Sequence, residues 1–182
     1  MGRVHDHIDD ALAAWIDQQR VFFVATAPLS GDGHVNCSPK GGDAFRVLAP
    51  RTVAYQDVTG SGVETIAHLK ENGRIVIMFC AFDGSPTILR LYGRGEVIAP
   101  GHPEFTALLA RFSDRTGTRA LIRVHVTRVS DSCGFGVPLF DYRGDRDGLD
   151  QWAQSKGLAK LQEYRGEKNA RSIDGLPGLD RT

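Results

Sequence analysis

Residues Thr87 to Ile98, TILRLYGRGEVI, constrain the fold more tightly than any other stretch. Leu89, Leu91 and Val97 fall on one side of a period-two alternation, with Arg90, Tyr92, Arg94 and Glu96 on the other, which predicts a strand with one buried face. Gly93 and Gly95 interrupt the apolar side. Paired glycines inside a strand mark a bulge or sharp bend, as at the corner of a barrel.

The flanking segments repeat the β grammar. Val21 to Ala27 (VFFVATA) is a strand closed by Pro28 and the turn residues Ser30 to Gly33, and His34 to Lys40 follows as a second. Ala44 to Leu48 and Thr52 to Gln56 are short strands. Arg74 to Phe82 (RIVIMFCAF) is apolar on both faces and reads as a central strand. Ala120 to Ser130 sets Ile122, Val124 and Val126 opposite Arg123, His125 and Thr127. Helices are expected over Asp6 to Gln19, Val63 to Asn72, His102 to Phe112, Leu149 to Gly157 and Leu158 to Tyr164. The second of these stops at Asn72-Gly73. Six or seven strands, mostly joined by turns, predict a mostly β, α+β fold: a small antiparallel barrel with helices at its edge, not a doubly wound sheet. Residues 1–182 read as one domain with a helical C-terminal segment and an irregular tail over 166–182.

Charge excludes whole classes of partner. The 182 residues carry 22 Lys+Arg against 22 Asp+Glu, with no basic run, whereas nucleic-acid and membrane-surface binders draw their affinity from neutralising phosphates. Neither partner is expected. No segment approaches the roughly 20 apolar residues of a membrane span, and Met1 to Ala14 lacks a signal-peptide run. Three cysteines without CxxC spacing argue against a disulfide framework or a closed zinc site, so a soluble, cytoplasmic chain is expected. His5 and His7 beside Asp9 and Asp10 read as a solvated helix start rather than as metal ligands.

Three segments carry candidate ligand-binding groups. In Val35 to Lys40, alternation projects Asn36, Ser38 and Lys40 together, and Pro39 places the stretch at a sheet edge. Asp57-Val58-Thr59-Gly60-Ser61-Gly62-Val63-Glu64-Thr65 is a glycine-rich loop opening a helix, the backbone and dipole arrangement that holds a phosphate. It lacks the third glycine of the dinucleotide fingerprint and the lysine of a P-loop. Ser61 and Glu64 also have capping-box spacing. The third segment, Asp131 to Pro138, sets Gly134 and Gly136 around Phe135, and Cys133 there has no activating base nearby in sequence. With no Ser-His-Asp, HExxH or paired-carboxylate pattern, chemistry is expected from a cofactor.

At these residues the sequence resembles the pyridoxamine 5′-phosphate oxidase-like family of FMN-binding split barrels. The resemblance rests on VNCSPKGGDAFRVL (35–48), YQDVTGSGVETIAHLKENGRIVIMF (55–79), ILRLYGRGEVI (88–98) and SCGFGVPLFDY (132–142). It implies a six- to seven-stranded antiparallel split β-barrel with flanking helices, a homodimer with the flavin in the groove between protomers, and an FMN-dependent oxidoreductase acting on a small molecule. Carried over, Asn36, Cys37, Ser38 and Lys40 would lie along the FMN edge or phosphate tail. Asp57, Thr59, Gly60, Ser61, Gly62 and Thr65 would surround the phosphate or ribityl chain, and Arg90 the pyrimidine edge. Ser132, Cys133 and Gly134 would meet a partner's cofactor. The family's vitamin B6 enzyme has an Arg-x-Val-Leu-Leu-Lys strand and a C-terminal Trp-Arg pair. Here Ala153 follows Trp152, so pyridoxamine phosphate is not the expected substrate. Related split barrels bind deazaflavin F420 or haem; the lack of a suitably placed histidine pair weighs against haem. A non-catalytic flavin-binding or sensing module is the alternative from a different class, and an F420-dependent reductase is the third reading.

Overall fold

The computed structural model describes residues 2–180; Met1, Arg181 and Thr182, the ends of the expected domain and tail, lie outside the described residues. In chain order the elements are β1 (Val4–His5), α1 (Asp10–Asp17), β2 (Val21–Thr26), β3 (Asn36–Gly41), β4 (Phe45–Ala49), β5 (Thr52–Val58), α2 (Glu64–Asn72), β6 (Arg74–Cys80), β7 (Thr87–Ile98), α3 (Phe105–Leu109), β8 (Thr118–Cys133) and α4 (Gly148–Lys168). Every pairing is antiparallel. The strands form one curled sheet in the order β3-β2-β6-β7-β8-β5-β4, with β1 added beside β8.

The alternation in β7 resolves as its sequence predicts: Leu89 and Leu91 are fully buried, and the ladder to β8 slips between Tyr92 and Gly93. Tyr92 faces Arg128 and Gly93 faces Val126, so β8 carries one extra residue, a β-bulge. A Cβ on Gly93 would lie 2.3 Å from the His125 carbonyl oxygen and 2.9 Å from Val124 Cγ1. The backbone can bend there only because the side chain is missing. Gly95 answers a different need, since a Cβ there would meet Leu69 of α2 at 2.7 Å, and its absence lets the helix rest on the sheet. Gly93→Ala is expected to destabilise by about 1–3 kcal/mol through overpacking against backbone. It should appear as a lower urea midpoint at unchanged slope, and a wild-type midpoint would refute the close approach.

Pro39 puts β3 at a sheet edge, as expected, and β4 forms the other edge. These two ends are joined by only residues 42–44, so the sheet must curl until its edges approach. No ladder closes the gap. Side chains close it instead: Phe45 of β4 sits 5.1 Å from Phe22 of β2 and 5.1 Å from Phe79 of β6, and Phe22 lies 5.6 Å from Tyr55 of β5 (ring centroids). Edge-to-face aromatic contacts of this kind add about 0.5–1.5 kcal/mol each beyond area burial. The result is the split barrel that the resemblance implies.

Several boundaries differ from the sequence expectation. α1 starts at Asp10, because the Asp9 side chain accepts the Leu12 N–H and caps it. β1 escaped the sequence reading; its two residues pair with Val129 and Ser130, and His5 Nε2 meets Asp131 Oδ2 at 2.7 Å. The helix expected over 102–112 shrinks to α3 among turns. α2 ends as predicted, on Gly73 with φ 69°. Its start does not follow the capping-box spacing: Val63 is the cap residue, with no side-chain hydrogen bond, so Glu64 stands first in the helix rather than third. The two predicted C-terminal helices meet at Gly157, whose φ of 70° breaks α4. α4 runs on to Lys168, into the segment read as irregular. Within the described part of that tail, Gly178 N–H donates to the Ala170 carbonyl and Leu179 N–H to that of Asn169, folding 169–179 into a tight return.

Candidate functional site

Where β3 approaches β5 and the start of α2, the fold leaves a cleft of about 1270 Å³. Asn36, Ser38 and Lys40 line it from β3, half-buried, together with the exposed Pro39, while Cys37 is exposed outside the lining. The alternation that projects three polar side chains together thus delivers them to one cavity wall. Gln56 and Val58 come from β5, Gly60 and Gly62 from the loop, Thr65 from α2 and Arg119 from β8.

Behind this wall sits a buried ionic cluster. Asp57 is fully buried; its Oδ1 accepts from Lys40 Nζ at 2.9 Å and its Oδ2 from Arg119 Nε at 2.7 Å. Burial pushes the Asp57 carboxyl up, but Lys40 and Arg119 together outweigh it and hold the group below the ordinary carboxylate range. Arg119 also approaches the Gly60 carbonyl at 3.4 Å. A third cation, Arg165 of α4, donates to Thr59 Oγ1 at 2.9 Å and to the carbonyls of Gly117 and Thr118. Burial, with Arg119 nearby, pulls its pKa down from the usual guanidinium value. Around Asp57 the fold thus gathers Lys40, Arg119 and Arg165, while the Glu64 carboxylate, at the start of α2, also lines the cleft.

The loop itself offers donors. The amides of residues 60–66 have no hydrogen-bond partner among the described residues, and the helix start has no side-chain cap. Unsatisfied N–H groups and a positive dipole end favour an anion. Asn169 of α4 fixes the loop from outside, its Nδ2 donating to the Gly60 carbonyl at 2.9 Å. With its carbonyls turned back toward the C-terminal helix, the loop holds a defined shape.

A hydrogen-bonded network continues along the wall. Asn36 Nδ2 donates to Thr65 Oγ1 at 2.9 Å and to Thr26 Oγ1 at 3.3 Å; Ser38 Oγ donates to Asn36 Oδ1 at 3.1 Å. Thr26 in turn contacts His68 Nδ1 at 2.9 Å. Across the cleft, the outer wall is an extended strap carrying Phe140 to Asp147. It is pinned where Phe140 N–H donates to the Phe82 carbonyl, the two rings 5.2 Å apart, and where Arg20 stacks 5.0 Å over Tyr142.

The structure thus gathers Asn36, Ser38, Lys40, Gly60, Gly62 and Thr65 at the cleft, with Asp57 directly behind Lys40. It places the other expected residues elsewhere. The Thr59 hydroxyl is buried, donating to the Gly117 carbonyl while accepting from Arg165. Ser61 is exposed outside the lining, and Cys37 points away. Arg90, Ser132, Cys133 and Gly134 form a separate group along β7 and β8, where Arg90 donates to Ser132 Oγ at 2.9 Å. Gly134 packs against Thr87, where a Cβ would lie 2.9 Å from the backbone nitrogen. Sequence reasoning missed Arg119, Arg165, Asn169, Gln56, Thr26 and His68. A usable signal existed for His68, a polar residue on the apolar face of a short helix; none was local for the arginines. The one group of metal-ligand type among the described residues, Glu96, His102 and Glu104, has the Arg123 guanidinium bonded to both carboxylates.

The sequence model of the pyridoxamine 5′-phosphate oxidase family matches residues 8–133, spanning the cleft strands, the loop and α2. The chain is 42% identical over 192 aligned positions to a pyridoxamine 5′-phosphate oxidase family protein, ustO, of Aspergillus flavus, covering 96% of this chain and 77% of that one. Among solved structures it is similar to HupZ of Group A Streptococcus, 23% identical over 67% of this chain and 91% of that, with a TM-score of 0.51. It is also similar to a candidate pyridoxamine 5′-phosphate oxidase of Lactobacillus delbrueckii, 16% identical over 69% of this chain and 94% of that, with a TM-score of 0.53. At these identities the two structures speak for the fold alone.

Proposed function

The chain belongs to the pyridoxamine 5′-phosphate oxidase family, and from that premise we propose that it is a flavin-dependent oxidoreductase that holds FMN in this cleft and acts on a small organic molecule. The observation that carries the reading is the placing of Lys40 and Arg119 on the cleft wall, held by Asp57, beside a helix start with no side-chain cap. A phosphate brings about two negative charges and acceptor oxygens, which suit both features. Lys40, Arg119, Thr65 and the amides of Gly60 to Val63 would hold the phosphate end, with Asn36 and Ser38 along the wall. Hydride chemistry is what FMN supplies when bound; the protein's share is to bind, orient and exclude water.

In a homodimer, the arrangement the resemblance implies, a second protomer would complete the groove. Arg90 and the 132–134 segment, remote from the cleft of their own chain, are the residues to examine against a partner's cofactor. A second reading, a flavin-binding module without catalysis, is favoured by one observation: no histidine or cysteine lines the cleft among the described residues.

Purified protein is expected to be yellow, to release FMN on denaturation and to gain thermal stability from added FMN. A colourless protein unmoved by FMN refutes the proposal, and a response to F420 alone would reassign the cofactor. FMN that binds yet is reduced by neither nicotinamide nor small donors would favour the binding module. Lys40→Ala is expected to weaken FMN binding by about 1–3 kcal/mol through loss of a charge-assisted contact, measured by flavin fluorescence titration. Wild-type affinity would remove Lys40 from the site.

A further inference from the structure

His68 lies in the middle of α2 and is wholly buried, an uncommon position for an imidazole. Its Nδ1 is 2.9 Å from Thr26 Oγ1, and its Nε2 has no partner among the described residues. Through Thr26 it connects to Asn36 and Thr65, and through Asn36 to Ser38, three groups that line the cleft. Burial lowers its pKa against the opposing pull of Asp174, Glu64 and Glu71, so the ring is neutral at ordinary pH and carries a single proton.

The position of that proton follows from counting donors. Asn36 Nδ2 gives its two hydrogens to Thr26 and Thr65, so each hydroxyl must place its own proton elsewhere. Thr26 is buried, and the acceptor at hand is His68 Nδ1, which must then be bare, with the ring proton on Nε2. Thr65 adjoins the hydroxyl of the wholly buried Tyr55, which makes no hydrogen bond of good geometry and brings a proton of its own. Between the two hydroxyls one proton is left over. Thr65 is the member that opens to the cleft.

The opposite tautomer reverses the chain. With the proton on Nδ1, His68 would donate to Thr26, and both threonine hydroxyls would have to donate to Asn36. Its amide would then turn over and donate to Ser38, leaving the spare proton on Ser38. One proton on a buried ring thus decides whether the helix start or β3 presents the donor.

We propose that His68, as its Nε2–H tautomer, is a positioning residue that sets the hydrogen-bond polarity of the cleft wall, so that Thr65 donates to a bound ligand while Asn36 and Ser38 accept. The ligand-binding half of this inference rests on the flavin reading; its first test does not. Imidazole ¹⁵N spectra of the ligand-free protein should show His68 with a bare Nδ1 and a protonated Nε2 at neutral pH. In FMN titrations, His68→Leu and Thr26→Val should each bind about tenfold more weakly, since a neutral hydrogen bond contributes about 0.5–1.5 kcal/mol. His68→Asn, which returns an amide oxygen near the place of Nδ1, should stay within about threefold of wild type. Thermal unfolding of each ligand-free variant identifies folded samples, and Thr26→Val carries the test if His68→Leu does not fold. A protonated Nδ1, or wild-type FMN affinity in the folded members of that pair, would overturn the assignment. Wild-type protein that binds no FMN would refute the flavin reading, and the tautomer spectrum would still decide the polarity.

Discussion

Asp57→Ala is expected to cost about 3–5 kcal/mol of folding free energy, the range for breaking a buried ion pair by removing one partner. The magnitude follows from what is left behind: Lys40, Arg119 and Arg165 would share a buried corner with no carboxylate among them. Asp57→Asn keeps the shape and two acceptor positions' worth of space but not the charge, and should fall between the variant and wild type. The pH dependence has a definite sign. Because the folded-state pKa of Asp57 is lowered, the stability it contributes is present above the unfolded carboxylate value, about 3.9, and is lost as pH falls through the lower folded value. Urea unfolding at neutral pH and again below pH 4 checks both parts. A loss under about 1 kcal/mol, the level of an exposed pair, would mean that the cluster is solvated in the working protein.

Phe79→Ala should cost a similar amount, about 3–5 kcal/mol, as for other buried aromatics cut to alanine. Phe79 is 1% exposed, and its ring touches Phe22 and Phe45 at centroid distances of 5.8 and 5.1 Å. Since no hydrogen-bond ladder joins β3 to β4, this aromatic group is what holds the curled sheet shut. The variant should therefore lose more than stability. Amide exchange in β4 is expected to rise selectively, because that edge is anchored on one side only. Exchange that rises uniformly over the sheet would indicate that the rings fill space without closing the barrel.

Much of the fold was legible in the sequence because its determinants are local. Side-chain alternation in β7, the two glycines that bend it, Pro39 at an edge, Asn72-Gly73 ending α2 and Gly157 breaking α4 each act over a few residues. β1 was invisible, since two residues carry no periodicity. The start of α2 was legible to within a residue, but the capping-box spacing of Ser61 and Glu64 does not supply its cap, since the chain turns helical only after Val63. Half of the site was legible for the same local reason: Asn36, Ser38 and Lys40 share one face of a strand. Their partners were not. Asp57 binds Lys40 from 17 residues away and Arg119 from 62, and nothing near either residue announces the other. Thr59 and Ser61 looked like ligand groups by residue type, yet one hydroxyl is spent inside the fold and the other faces solvent.

The loop of residues 59–62 takes its shape from residues far along the chain: Arg165 grips Thr59 across 106 positions, and Asn169 grips Gly60 across 109. A ribosome emits these partners well after the loop itself. The sheet through β8 can assemble on the nascent chain, but the anion-ready end of the cleft stays unformed until α4 has emerged and docked. During synthesis, then, the loop is finished late, and on the proposed flavin reading a chain stalled before residue 165 would carry a barrel without a completed phosphate site.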